Sequence, residues 1–181
     1  MRDQRGFTLI EVLVAAALVV VMIGLSTTAL RRYWQLQQLN SARDSMLSTL
    51  HNTQQRSVSE SHPLVYGVRF TPASSSTSTS SMYAVVKYDP GSLSSTSDDT
   101  CTLVDTTQSV GSGVFVRDAS FSAASTPVVV SNCPSTGGTD KYVFFYARGT
   151  ATDGTLTLKS GPLGQTRQID VTGLTGRADP D

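Results

Sequence analysis

The chain has 181 residues, enough for one modest domain and an appendage, and a formal net charge of zero that exerts no global pull toward nucleic acid or acidic substrates. The charge is unevenly divided: residues 1–60 carry six Arg against four acids, whereas residues 61–181 carry eight Lys or Arg against ten Asp and no Glu. The larger part is also rich in Ser, Thr and Gly, which suits a β-rich, surface-exposed or extracytoplasmic domain better than a helical enzyme core.

A short charged leader, "MRDQRG", opens the chain, and from Phe7 to Leu30 almost every residue is apolar. As a helix those residues would extend about 36 Å, enough to cross a hydrocarbon core of about 30 Å. A cleaved secretory signal would end at a small-residue site. Here the run is followed by Arg31, Arg32, Tyr33 and Trp34, residues that suit an interfacial anchor, so a retained membrane helix is expected. Glu11 is the exception inside the run. A charge deep in a bilayer costs about 2.5–3.5 kcal/mol on insertion scales, so Glu11 either lies shallow enough to reach headgroups or meets a cation supplied by another subunit.

The stretch "RGFTLIEV" resembles the type III signal of type IV prepilins and pseudopilins: a basic leader ending in Gly6, an aromatic at Phe7 and a glutamate at Glu11, all heading an apolar helix. The resemblance implies cleavage between Gly6 and Phe7 by a prepilin peptidase, which also N-methylates Phe7. It implies that Glu11 pairs with the N-terminal amine of a neighbouring pilin or pseudopilin subunit during assembly. It further implies an inner-membrane protein with a cytoplasmic N-terminus and an extracytoplasmic head. Arg31 and Arg32 run against the positive-inside rule in that orientation, a mild conflict, since large domains translocate largely regardless of such charges.

Beyond the run, Leu36, Leu39, Ala42, Met46 and Leu50 recur at three- and four-residue steps between polar residues, and no proline occurs before Pro63. This predicts one continuous helix from about Phe7 to Ser59 whose outer half lays an apolar stripe on the head. After Pro63 the period falls to two. Strands are expected at Leu64–Phe70, Ser81–Asp89, Gly113–Ser122 and Pro127–Val130, with the eight Ser/Thr residues 74–81 as a loop. Two further β-rich runs flank Asp153-Gly154, predicting a hairpin there, and "RQIDVTGLTGR" predicts a last strand pair ending near Arg177. The fold class is α+β, a long N-terminal helix packed on an antiparallel β-sheet head. Its parts are a leader (1–6), a membrane and assembly half-helix (7–30), an amphipathic half-helix (31–60) and a head (61–181).

"FYARGTATDGTLTL" and "TRQIDVTGLTGR" look like the C-terminal half of the H-type pseudopilins and the T- and U-type minor pilins. That implies a minor structural subunit of a type IV pilus or of a type II secretion pseudopilus. Cys101 and Cys133 can form one disulfide outside the cytoplasm; two unrelated buried thiols are the alternative. No metal or cofactor is expected: neither cysteine has a ligand-like neighbour, and Asp98, Asp99 and Asp105 fit no regular oxygen cage. His51 and His62 form no nucleophile constellation, and no phosphate loop follows a strand, so no enzyme is expected. The alternative function is a DNA-binding minor pilin for natural competence, using Arg148, Lys159, Arg167 and Arg177. The acidic balance of the head and the Asp residues after Arg177 weigh against it.

Overall fold

The computed structural model describes residues 8–60, 64–73, 81–91, 99–122, 133–134 and 139–180, without the side chains of 25, 26, 28 and 29. Helix α1 (Leu9–Ser59) is continuous. It starts at Thr8, which is extended, and stops at Glu60, also extended, whose N–H still bonds the Arg56 carbonyl. Glu11 in the first turn and Arg56 in the last both complement the helix dipole.

The outer half of α1 buries one stripe. Leu39, Ala42, Met46 and Leu50 are 7% exposed or less, and the stripe continues as Thr53 and Ser57. The first four follow from hydrophobic spacing. The last two are buried because their hydroxyls are satisfied: Thr53 donates to the Thr49 carbonyl at 2.7 Å and Ser57 to the Phe145 carbonyl at 2.6 Å. Leu36, the predicted start of the stripe, is only half-buried.

The strands are β1 (Val65–Thr71), β2 (Met82–Asp89), β3 (Thr100–Leu103), β4 (Gln108–Ser109), β5 (Val114–Phe121), β6 (Lys141–Phe145), β7 (Gly154–Ser160), β8 (Thr166–Thr172) and β9 (Arg177–Pro180). They form two antiparallel sheets, one in the order β3-β2-β1-β6 with β4 also on β2, the other β5-β7-β8-β9. Val68, Phe70, Val143 and Phe145 of the first sheet and Val116, Leu156, Leu158, Ile169 and Val171 of the second join the helix stripe in one core. A second cluster on the far face of the first sheet gathers Val65, Val86, Tyr88, Phe144 and both cysteines.

Several sequence expectations need correction. The expected strands β1 and β2 form and pair with each other, from Val65 opposite Tyr88 to Thr71 opposite Met82. Ser81 lies just before β2, which starts at Met82; it is buried, and its Oγ accepts the Val116 N–H at 2.9 Å, while residues 74–80 of the expected loop lie outside the described residues. The expected hairpin at Asp153-Gly154 does not form, because β6 and β7 lie in different sheets. The chain turns earlier, at Ala147–Gly149, where Gly149 takes φ +80° and Tyr146 N–H bonds the Thr150 carbonyl. Gly154 instead starts β7 opposite Phe121, so close to the Ser120 carbonyl that a Cβ would collide with it. Arg177 begins β9 rather than ending the pair, and β3 and β4 were not expected. The predicted strand at Pro127–Val130 lies outside the described residues.

Candidate assembly site

Below the head, α1 is bare. Every described large apolar side chain between Leu9 and Leu30 is more than half exposed, from Val19 at 54% to Leu9 at 79%. The apolar residues face all directions around the helix, so no one-sided stripe is available for packing on this chain's own head. A helix hydrophobic all round is one that other molecules bury. Thr27 hides its hydroxyl by donating to the Gly24 carbonyl at 2.9 Å. Glu11 is then the only charged residue from Leu9 to Leu30. It is exposed and has no side-chain partner among the described residues. Gly6 and Phe7, the expected cleavage pair, lie outside the described residues. Within the described residues no helix is long and apolar enough to cross a membrane; the described side chains of the bare half run unbroken only from Leu9 to Gly24.

Cys101 of β3 and Cys133 are joined by a disulfide, S–S 2.07 Å, with Cα atoms 4.6 Å apart. It ties the 133–134 segment to the first sheet's edge. A second tie is less expected from sequence. Arg69, on β1, is 2% exposed, and its Nη1 donates to the Pro134 carbonyl at 2.7 Å. Tyr142 Oη donates to the same carbonyl at 2.8 Å. Burial, with Asp140 nearby, pushes the Tyr142 phenol up, against a smaller opposing pull from Arg69. The signal for Arg69 was its place in an apolar strand, which reads equally as an exposed edge.

The four basic residues considered for nucleic acid do not share a surface. Paired residues of antiparallel strands point to one face. Arg167 lies opposite buried Leu158 and turns toward α1, where its Nε donates to Asn40 at 3.3 Å. Lys159 lies opposite Thr166, on the other face. Arg177, opposite Thr172, shares that other face but sits six positions along β8, roughly 20 Å away. Arg148 lies in the Ala147–Gly149 turn, whose Gly149 carbonyl packs against Gly176, the residue before Arg177. Arg177 is paired with Asp179 at 2.7 Å.

A polar cleft of about 180 Å³ lies between α1 and the β3–β4 connection, lined by Thr49, Asn52, Arg56, Tyr83, Asp105 and Gln108. An exposed Arg56–Asp105 ion pair of 3.7 Å closes part of it. His51 is spent on structure: its Nε2 lies 3.1 Å from the Ala178 carbonyl. His62 and Asp98 lie outside the described residues, and among those described no group of His, Cys, Asp and Glu is placed to hold a metal.

Residues 1–27 match the family described as the prokaryotic N-terminal methylation motif. No curated protein and no solved structure matches the chain. The matched motif and the long helix packed on antiparallel sheets together give a type IV pilin-like architecture. The prepilin-like motif carries with it processing by a prepilin peptidase, anchoring in the inner membrane and assembly with pilins.

Proposed function

We propose that the protein is a minor pilin or pseudopilin, a subunit of a type IV pilus or a type II secretion pseudopilus. The observation that carries this reading is the bare half of α1, apolar on all sides, with one carboxylate in its first turn. Cleavage between Gly6 and Phe7 exposes a new amine beside that turn, and methylation leaves it basic. Glu11 of one subunit then meets the amine of the next. Once Glu11 is drawn in among the apolar helices of its neighbours an unpaired carboxylate would be costly, so pairing with the amine selects the docked register. The apolar faces of neighbouring helices bury one another at the same step. The H-, T- and U-type branch is supported by the closing "RQIDVTGLTGR" run, which forms β8, the turn and the start of β9.

Intact mass and N-terminal sequencing of the protein from its host's membranes test the reading. A chain starting at methylated Phe7 is the expected result; one retaining Met1–Gly6, or starting beyond Leu30, would sink it. Glu11→Leu should leave the protein in the membrane and remove it from sheared filaments or from pseudopilus cross-links.

The alternative, a DNA-binding minor pilin, draws on Arg148 and Arg177 alone. Reversing both charges should lower DNA retention and its salt dependence if this reading holds; unchanged retention ends it.

A further inference from the structure

Four consecutive residues, Arg31, Arg32, Tyr33 and Trp34, separate the bare half of α1 from the head. All are exposed, Tyr33 at 63% and Trp34 at 60%. Among the described residues neither arginine has an ion-pair or hydrogen-bond partner. Successive helical residues turn by about 100°, so these four ring the helix within a rise of about 4.5 Å. A strip built to dock one protein would occupy one face at three- and four-residue steps. A ring at a single depth fits a planar partner that surrounds the helix. The head leaves space for it, since the first fully buried helix residue is Leu39, about 7 Å further along.

We propose that this ring binds the phosphate headgroups of anionic phospholipid in the extracytoplasmic leaflet. The proposal rests on the membrane-anchored reading given above. Guanidinium groups present paired donors that match phosphate oxygens, and Tyr and Trp seat an apolar ring in the acyl boundary with a polar tip in water. The spacing along the helix agrees. Arg31 lies twenty positions from Glu11, about 30 Å of helix, the thickness of the hydrocarbon core. A ring held at one boundary therefore sets Glu11 at the opposite one. There the carboxylate is reached by water and by an incoming amine, and it avoids the bilayer centre where its charge is most disfavoured.

Trp34 is the only tryptophan of the chain, so its fluorescence reports on the ring alone. The test uses the purified full chain in bilayers of phosphatidylcholine with one-third phosphatidylglycerol. Two bilayers of equal composition are compared, with brominated acyl chains on one lipid or on the other. Bromo-phosphatidylglycerol is expected to quench Trp34 beyond its share of the lipid, an enrichment of about fivefold at low salt that falls as salt is added. Arg31→Gln with Arg32→Gln should return quenching to the lipid ratio without removing it. Inorganic phosphate at matched ionic strength should leave the preference in place. If it abolishes the preference, the ring takes free phosphate and the proposal fails. Quenching in proportion to composition in the unaltered protein also overturns it, while leaving the membrane span standing. No quenching by either lipid overturns the span itself.

Discussion

Gly67 sits in β1 directly opposite Phe144, whose Cδ1 would lie 2.6 Å from any added Cβ, as would the Val143 carbonyl. The ring occupies the place of the missing side chain and stacks on Tyr142 with centroids 5.9 Å apart. Gly67→Ala should therefore destabilise the head by roughly 1–3 kcal/mol through overpacking, read as a lower midpoint in urea. One residue away, Tyr66 faces α1 and donates its hydroxyl to the Glu60 carboxylate. Burial, then this bond, raises the phenol from 10.0 to about 12. The folded state thus prefers the neutral phenol more strongly than the unfolded chain does. Its contribution is complete below about pH 10 and is lost as pH rises from there through 12. Unfolding midpoints measured across that window should fall more steeply for the native chain than for Tyr66→Phe.

At the scale of elements, the hydrophobic stripe of α1 was plain in the sequence because Leu39, Ala42, Met46 and Leu50 are apolar at helical spacing. Its continuation through Thr53 and Ser57 was not, because both are polar: Thr53 hides its hydroxyl on the Thr49 carbonyl one turn back, and nothing local shows that Ser57 will find a carbonyl 88 positions away. Leu50, wholly buried where the helix meets both sheets, should cost about 2–5 kcal/mol when changed to Ala, measured by thermal or urea unfolding. The Asp153-Gly154 error has a physical origin too. Glycine serves turns and close backbone approaches alike, and the local pattern does not separate the two. Here the left-handed conformation falls at Gly149 and the close approach at Gly154. Sequence periodicity located most strands, but the division into two sheets depends on which edges pair across the fold.

The whole molecule divides into a head that closes on itself and a helix half that does not. The head is held by the two-sheet core and by the Cys101–Cys133 bridge, which joins residues 32 apart. On the chain-entropy account, closing that loop is worth roughly 3.5–4 kcal/mol. Reducing it should lower the unfolding free energy by about that amount without removing the protein from the membrane, as fractionation with and without reductant would show. The bare apolar half of α1 with its one carboxylate was legible because an apolar run and a single acid are local features. The Arg69–Pro134–Tyr142 junction was the least legible, because it brings Arg69 to a carbonyl 65 positions away that Tyr142 also holds.

The seat of the helix is completed by β9, where His51 meets Ala178 across 127 positions of sequence. Synthesis therefore delivers α1 long before the strand that finishes its groove. On the proposed reading, in which the head is exported, the stripe from Leu39 to Leu50 waits greasy and uncovered while more than a hundred residues follow it. Contacts of such long range form slowly, and waiting apolar surface invites misassembly. On that same reading, the supply of subunits is timed by how fast the head closes as well as by how fast the leader is cut.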